Sequence, residues 1–477
     1  MTERPERTAW DIFRDKFRGI KGDKVVWMIF ILLILCSILA VFSSSSQLVQ
    51  KNTTRFSILS EHLLFVGVSL VTVAACYLFG TIERIRWFSK FGFIISLIVT
   101  LPCVFHIWPA QEINHAWRIL KIFGVQIFVA EICKVLMPMY LAWAVTALKK
   151  NEFTFVPRLY DAFPNLKNAC SLRTACLYFY IFIPIILICI TLIAGSGSSL
   201  VFLGAVMVIV ILVGGIRIRD LILPGLIGLT ALSACFLIYK ASDGEMFGRF
   251  GTMFSRFGMK SDEEELNHLT ATRDSLLLII NSDGSTQAVK ADARKKFNET
   301  RETHNELIDK LRQKEGAKIA IKQGGLLGKG AGRSTMKYIV PIIYGDYMFS
   351  FIIEEYGLAG GIFVIMLYVI LLARCALIAN ECDDDFAKMV IAGLGIMISL
   401  QAMMHMYVNI DVGIHTGQTL PLLSHGTSAF LMFSFAFGVI ISISKVAKDN
   451  IERRKMAEEA EEARRKQEER ESRKEME

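Results

Sequence analysis

The strongest constraint on this chain is the length of its apolar runs. Ten of them lie near 25–43, 62–81, 91–109, 122–148, 175–194, 199–216, 221–239, 347–372, 389–410 and 419–443. Each approaches the roughly 20 residues that cross about 30 Å of hydrocarbon as a helix. From Thr174 to Ile216 no residue is charged, and Gly195-Ser-Gly-Ser-Ser199 supplies a turn inside that stretch. With 53% of 477 residues hydrophobic, the core helices of a soluble protein are excluded as an account of so many long runs. The expected fold is all-α: a polytopic membrane protein with ten transmembrane helices and one large extracytoplasmic loop. The expected divisions are a cytoplasmic amphipathic N-terminus (1–24), helices one to seven (25–240), the loop (241–345), helices eight to ten (346–444) and a charged cytoplasmic tail (445–477).

Lys and Arg in the short loops set the orientation. With the N-terminus inside, the inner segments hold Arg4, Arg7, Arg14, Lys16, Arg18, Lys21, Lys24, Arg84, Arg86 and Lys90. They also hold Lys149, Lys150, Arg158, Lys167, Arg173, Arg217, Arg219, Arg374 and Lys388. The short outer loops hold Lys51, Arg55, Arg118 and Lys121. Both termini are therefore expected in the cytoplasm. The net charge of +8 reads as a topology signal, not as a sign of nucleic-acid binding. None of the ten cysteines lies in 241–345, which argues against a disulfide framework, and no paired CxxC spacing suggests zinc. The first apolar run is a full span without a small-residue cleavage site, so no cleavable leader is expected.

Trp10, Phe13, Phe17 and Ile20 share one helical stripe among basic residues, as in a short helix lying on the inner membrane surface. The hydrophilic stretch 241–345 holds a helix start at Ser261-Asp-Glu-Glu-Glu, a turn at Ser282-Asp-Gly-Ser and a helical Ala291–Lys314. Its end, Gly324-Gly-Leu-Leu-Gly328-Lys329-Gly330-Ala-Gly332-Arg333, is glycine-rich and basic. Freed backbone amides beside Lys329 and Arg333 suit a phosphate group; a flexible re-entrant loop is the alternative. The run after Lys445 lacks an apolar face and reads as a solvated helix or a disordered tail. No internal repeat and no inverted pair of broken helices is evident.

Three polar clusters fall at membrane depth, where each charge costs about 2.5–3.5 kcal/mol on insertion scales. Glu131 and Lys134, at i and i+3, can form an ion pair and read as structural. His405, Asn409 and Asp411 precede Gly417-Gln-Thr-Leu-Pro421-Leu-Leu-Ser424-His425-Gly426-Thr-Ser428, with His405 read as a hydrogen-bonded core residue. Asp346, Ser350 and Glu354 recur every four residues, with Glu354 about 12 Å deeper than Asp346 along a helix. Asp346 alone stands at the outer interface beside the basic glycine segment.

Several of these segments resemble the SEDS family, the FtsW/RodA group of peptidoglycan glycan-strand polymerases. Lys318-Ile-Ala-Ile321 with Gly324-Gly-Leu-Leu-Gly328-Lys329-Gly330 is similar to the family's pre-span motif. Gly345-Asp346-Tyr-Met-Phe through Glu354-Glu355-Tyr-Gly357 resembles its Thr-Asp-Phe-Ile-Phe and Glu-Glu-Leu-Gly. Thr419-Leu-Pro421-Leu-Leu-Ser424-His-Gly426-Thr-Ser428 resembles its Leu-Pro-Phe-Val-Ser-Tyr-Gly-Gly-Ser. Trp117-Arg118 and Glu131-x-x-Lys134 match its fourth-span region. Departures stand at Phe128-Val-Ala130, at Ala194-Gly-Ser-Gly197-Ser and at Ile342-Ile-Tyr344-Gly345, where the family has Gln-Pro-Ser, Pro-Asp-Leu-Gly-Thr and Glu-Ala-His-Thr. The stretch 241–345 is also longer than usual for the family.

The resemblance implies a polymerase of lipid II in the outer leaflet of a bacterial inner membrane, FtsW-like at division rather than RodA-like. It implies Asp346 as the catalytic base. Lys329, Arg333, Lys318, Lys337 and Ser428 are the implied binders of lipid II and its diphosphate, and Glu131, Lys134, Glu354 and Asn409 the supporting residues. The implied partner is a membrane-anchored class B penicillin-binding transpeptidase. A divalent cation could assist at the diphosphate, though no ligand cluster in the sequence requires one and the cofactor is otherwise unknown. Two other readings use the same charges: a lipid II flippase or transporter, and a non-catalytic scaffold for the transpeptidase.

Overall fold

In a computed structural model the described residues are 21–45, 55–113, 116–122, 124–163, 170–193, 195–241, 262–282, 287–340, 343–412 and 417–476. The amphipathic stripe expected over Trp10–Ile20 lies outside them. The chain forms α1 (Lys24–Ser44), α2 (Arg55–Phe79), α3 (Ile82–Lys90) and α4 (Gly92–Phe105). Strands β1 (Ala110–Ile113), β2 (Ala116–Ile122) and β3 (Val125–Phe128) follow, then α5 (Val129–Lys150) and α6 (Phe155–Ala162). Next come α7 (Leu172–Ile193), α8 (Gly197–Val213), α9 (Ile218–Ala241), α10 (Asp262–Asn281) and α11 (Gln287–Gly324). The last three are α12 (Met348–Glu381), α13 (Asp385–Asn409) and α14 (Thr427–Met476).

Each expected apolar run overlaps a helix, and the architecture is that of a multi-pass membrane protein. Among the described residues seven helices are long and apolar enough to cross a membrane: α1, Leu59–Phe79 within α2, α5, α7, α12, α13 and the first part of α14. The pair α3 and α4, bent by 43°, makes an eighth if taken as one span. Helix α8 is apolar but has only 17 residues.

The run expected as a helix from 122 needs correction. Residues 110–128 form an antiparallel meander in the order β1-β2-β3, with Leu120 opposite both Ala110 and Ile127. Leu120 and Val129 bury with Cys103 in a small apolar cluster. Here Arg118, Lys121 and Gln126 interrupt the apolar residues every few positions, a spacing that a half-buried strand accommodates. Helix α5 therefore starts at Val129.

Helix α5 is buried on nearly all sides, against α4, α8 and α13; α13 in turn packs along α12, and α14 runs beside α2. Helices α10 and α11 pack on one another, and α11 continues onto α12. At one end of the bundle Asp23, fully buried, caps α1 through Val25 N (2.9 Å) and Val26 N (3.1 Å) and pairs with Arg374 of α12. The segment after Lys445 is helical, as the continuation of α14.

Candidate active site at the mouth of a broken helix

Helix α12 is not continuous. At Gly357 the backbone takes φ 71° and ψ −175°, so the hydrogen-bond ladder stops there and restarts. Unsatisfied peptide groups at membrane depth cost several kcal/mol each. The glycine-rich segment meets them. Lys329 N and Gly330 N donate to the carbonyls of Glu354 and Glu355, each at 2.9 Å. Leu358 N and Ala359 N donate to those of Gly325 (2.9 Å) and Leu326 (3.2 Å). Such backbone-on-backbone contact leaves no room for side chains: a Cβ on Gly328, whose φ is +79°, lies 2.3 Å from the Glu355 carbonyl oxygen, and one on Gly357 lies 2.2 Å from that of Leu326. The segment read as a phosphate cradle or a flexible loop is packed as a plug that completes a split helix.

Two buried carboxylates flank the break. Glu354 accepts from Lys329 Nζ (2.7 Å), Thr335 N (2.9 Å) and Thr335 Oγ1 (3.0 Å), and also from the Ser334 hydroxyl. Glu355 accepts from Ser43 Oγ of α1 at 2.7 and 2.8 Å and lies 3.8 Å from Lys337 Nζ. Lys337 is itself buried and donates to the Gly332 carbonyl (2.8 Å) and the Ser43 carbonyl (3.2 Å). Lys329 and Lys337 are thus engaged on α12's own acids, while Arg333 is exposed.

Asp346 lies in the turn just before α12, half-buried. The amides that open α12 are capped from a neighbouring helix. Phe349 N donates to His405 Nε2 (3.3 Å), and Ser350 N donates to Asn409 Oδ1 (2.9 Å). Nδ1 of His405 donates to the Gln418 carbonyl (2.7 Å), which fixes the tautomer. Asn409 Nδ2 donates to the Asp346 carbonyl at 3.1 Å. Gly417 faces the Asp346 side chain: a Cβ there would sit 3.2 Å from Oδ2. Ser424 Oγ donates to the Gly345 carbonyl (2.7 Å) and His425 N to that of Tyr344 (2.9 Å), which hold the turn from the other side. A carboxylate at a helix N-terminus is favoured by the helix dipole. Burial first, then the charges on Asp346 and Asp411, raises the Tyr347 hydroxyl above its ordinary value.

The other expected site residues are placed as follows. Lys134, fully buried, donates to Glu131 Oε1 (2.6 Å) and to the Gln418 side chain, whose Nε2 donates to Ser199 Oγ (3.2 Å). Gln418 thereby links this pair to His405. Ser428 accepts from Phe128 N (3.1 Å) and ties α14 to β3. Lys318 pairs with Asp411 (2.7 Å) and Glu315 (3.1 Å). Sequence reasoning missed Lys314, 3.3 Å from Asp411, although its i, i+4 spacing to Lys318 on a helix was visible. Among the described residues no group of three or more His, Cys, Asp or Glu is arranged to hold a metal ion.

A multi-pass membrane protein in which neighbouring helices cap a split helix and present one carboxylate at its mouth is the class that this fold and site define. The family model described as cell cycle proteins of the FtsW, RodA and SpoVE type matches residues 23–252 and 290–449, and the chain belongs to that family. It is 33% identical over 124 residues to the "Probable peptidoglycan glycosyltransferase FtsW" of Caulobacter vibrioides, covering 26% of this chain and 32% of that protein. The corresponding protein of Hydrogenovibrio crunogenus is 37% identical over 131 residues, 27% of this chain and 34% of its own. The aligned stretch thus spans about a third of these relatives. In fold the chain is similar to a solved chain from a peptidoglycan synthase complex that coordinates polymerization and crosslinking (TM-score 0.55, 17% identity, 89% of this chain and 98% of that one). It is also similar to the rod shape determining protein RodA of Thermus thermophilus (TM-score 0.52, 16% identity, 89% and 97%).

Proposed function

We propose that this protein polymerises peptidoglycan glycan strands from lipid II at the outer face of the membrane, with Asp346 as the general base. The donor's anomeric carbon–oxygen bond breaks with its electron pair leaving on the lipid diphosphate. A sugar hydroxyl of the acceptor forms the new bond, and its proton passes to the Asp346 carboxylate and then to water. The observation that carries this reading is the placement of Asp346: a half-buried carboxylate at a helix N-terminus, its turn clamped by Asn409, Ser424 and His425, with a glycine where a side chain would crowd it. Glu354 and Glu355 serve the helix break instead. Lys318 is the expected diphosphate-binding cation that belongs to the mouth, through Asp411. Both termini in the cytoplasm, a class B penicillin-binding transpeptidase as partner and a role at division are parts of the same proposal, supported by the charge distribution and by the named relatives.

The test is glycan-chain formation by the purified full chain in liposomes given labelled lipid II, with and without the transpeptidase. Asp346→Asn keeps the shape and removes the basicity; it is expected to lower polymerisation by about 10²-fold or more with little change in thermal stability. Polymerisation by Asp346→Asn at the unmodified rate refutes the assignment. Translocation of lipid II without polymerisation by the unmodified chain supports the flippase reading instead.

A further inference from the structure

Asp411 occupies a conformation that few side chains take. Its φ is +59°, in the left-handed region where glycine is the unstrained choice. The side chain has a definite use there: Oδ2 lies 2.7 Å from Lys318 Nζ and Oδ1 3.3 Å from Lys314 Nζ. Both lysines lie one turn apart on the same face of α11, whereas Asp411 follows the end of α13. One carboxylate therefore fixes two ammonium groups of the long helix against the rim of the Asp346 mouth. Asp411 stands two residues after Asn409, which holds the Asp346 carbonyl, and so beside the turn that carries Asp346.

We propose that Lys314 and Lys318, set in place by Asp411, form the cationic seat for the lipid diphosphate, with Asp411 as a positioning residue that touches neither sugar. This rests on the polymerase reading above and supplies what that reading lacks. Lys329 sits on Glu354 and Lys337 on the carbonyls of Gly332 and Ser43, so neither ammonium is presented to the mouth. Two ammonium groups of α11 thus stand together on the Asp411 carboxylate beside the Asp346 turn. Burial alone would push the Asp411 carboxyl up, but hydrogen bonds from Lys318 and Lys314 bring it below the usual carboxylate range. The Lys318 ammonium is raised chiefly by Asp411. Asp411 and Lys318 are both ionised at neutral pH, as a seat for an anion requires. Glu315, on the exposed side of Lys318, is the other acid against it.

The experiment measures steady-state kinetics with lipid II and, separately, binding of fluorescent lipid II to Asp346→Asn protein in nanodiscs of zwitterionic lipid. Lys314→Met/Lys318→Met is expected to raise KM and weaken binding about tenfold or more, the scale of one lost charge-assisted hydrogen bond, with kcat changed far less. Asp411→Gly relieves the backbone while removing the carboxylate. It is expected to keep or raise the melting temperature and still raise KM several-fold. Unchanged lipid II binding in the double lysine variant overturns the seat. A lower KM in Asp411→Gly overturns the positioning role, because the carboxylate then masks the cations. Failure of the base assignment is separable: it appears as full polymerisation by Asp346→Asn, while the binding arm does not depend on turnover.

Discussion

Lys329→Met separates a structural lysine from a substrate lysine. The side chain of Glu354 is fully buried, and Lys329 Nζ, 2.7 Å away, supplies its only full countercharge among the described residues. Removing one partner of a buried ion pair typically costs about 3–5 kcal/mol, because the remaining charge is left uncompensated. Ser334, Thr335 and the Met336 amide continue to donate to Glu354, which places the expected loss at the lower end, roughly 3 kcal/mol. That is a large share of the marginal stability of a folded chain. The assay is thermal unfolding of the purified protein in detergent, alongside polymerisation kinetics at a temperature where the variant remains folded. The double variant Lys329→Met/Glu354→Gln removes the orphaned charge and should regain a good part of the loss, since the two residues are directly coupled. Two results refute the reasoning: a single variant that melts with the unmodified protein, or one whose defect lies wholly in KM for lipid II. Either makes Lys329 a ligand of substrate and not the partner of Glu354.

Gly328→Ala sets a Cβ against the Glu355 carbonyl at a left-handed φ; it should sharply lower the yield of folded protein, which size-exclusion profiles in detergent will report. Asn409→Ala deletes the cap on Ser350 N and the bond to the Asp346 carbonyl. It should cost about 1–2 kcal/mol in melting experiments, the upper range for a lost cap, and lower kcat more than it raises KM. A reporter or an accessible cysteine placed at Thr300 should be on the outer side of the membrane; labelling from the cytoplasm would overturn the orientation drawn from the Lys and Arg distribution.

The runs of apolar residues determined the membrane architecture by themselves, because a bilayer admits few solutions for a chain with so many segments of that length. The motifs, in their order along the chain, likewise carried the family. Asp346 stood out as a candidate because a carboxylate at the start of a span is informative and because the segment around it resembles the family's motif. The sequence could not say what Gly324–Gly332 does. Glycines beside basic residues suit a phosphate and a backbone plug equally, and only the meeting of that segment with Gly357, some thirty residues on, decided between them. The partners of Lys329, Lys337 and Lys318 depended on the same long-range contacts. A lysine's role is set by which carboxylate or carbonyl the fold brings within about 3 Å, and sequence spacing along a helix constrains that only for neighbours one turn away. Asp411 shows the limit most plainly. Its carboxylate is visible in the sequence, but its left-handed backbone and its grip on two lysines of α11 exist only once α11, α12 and α13 have come together.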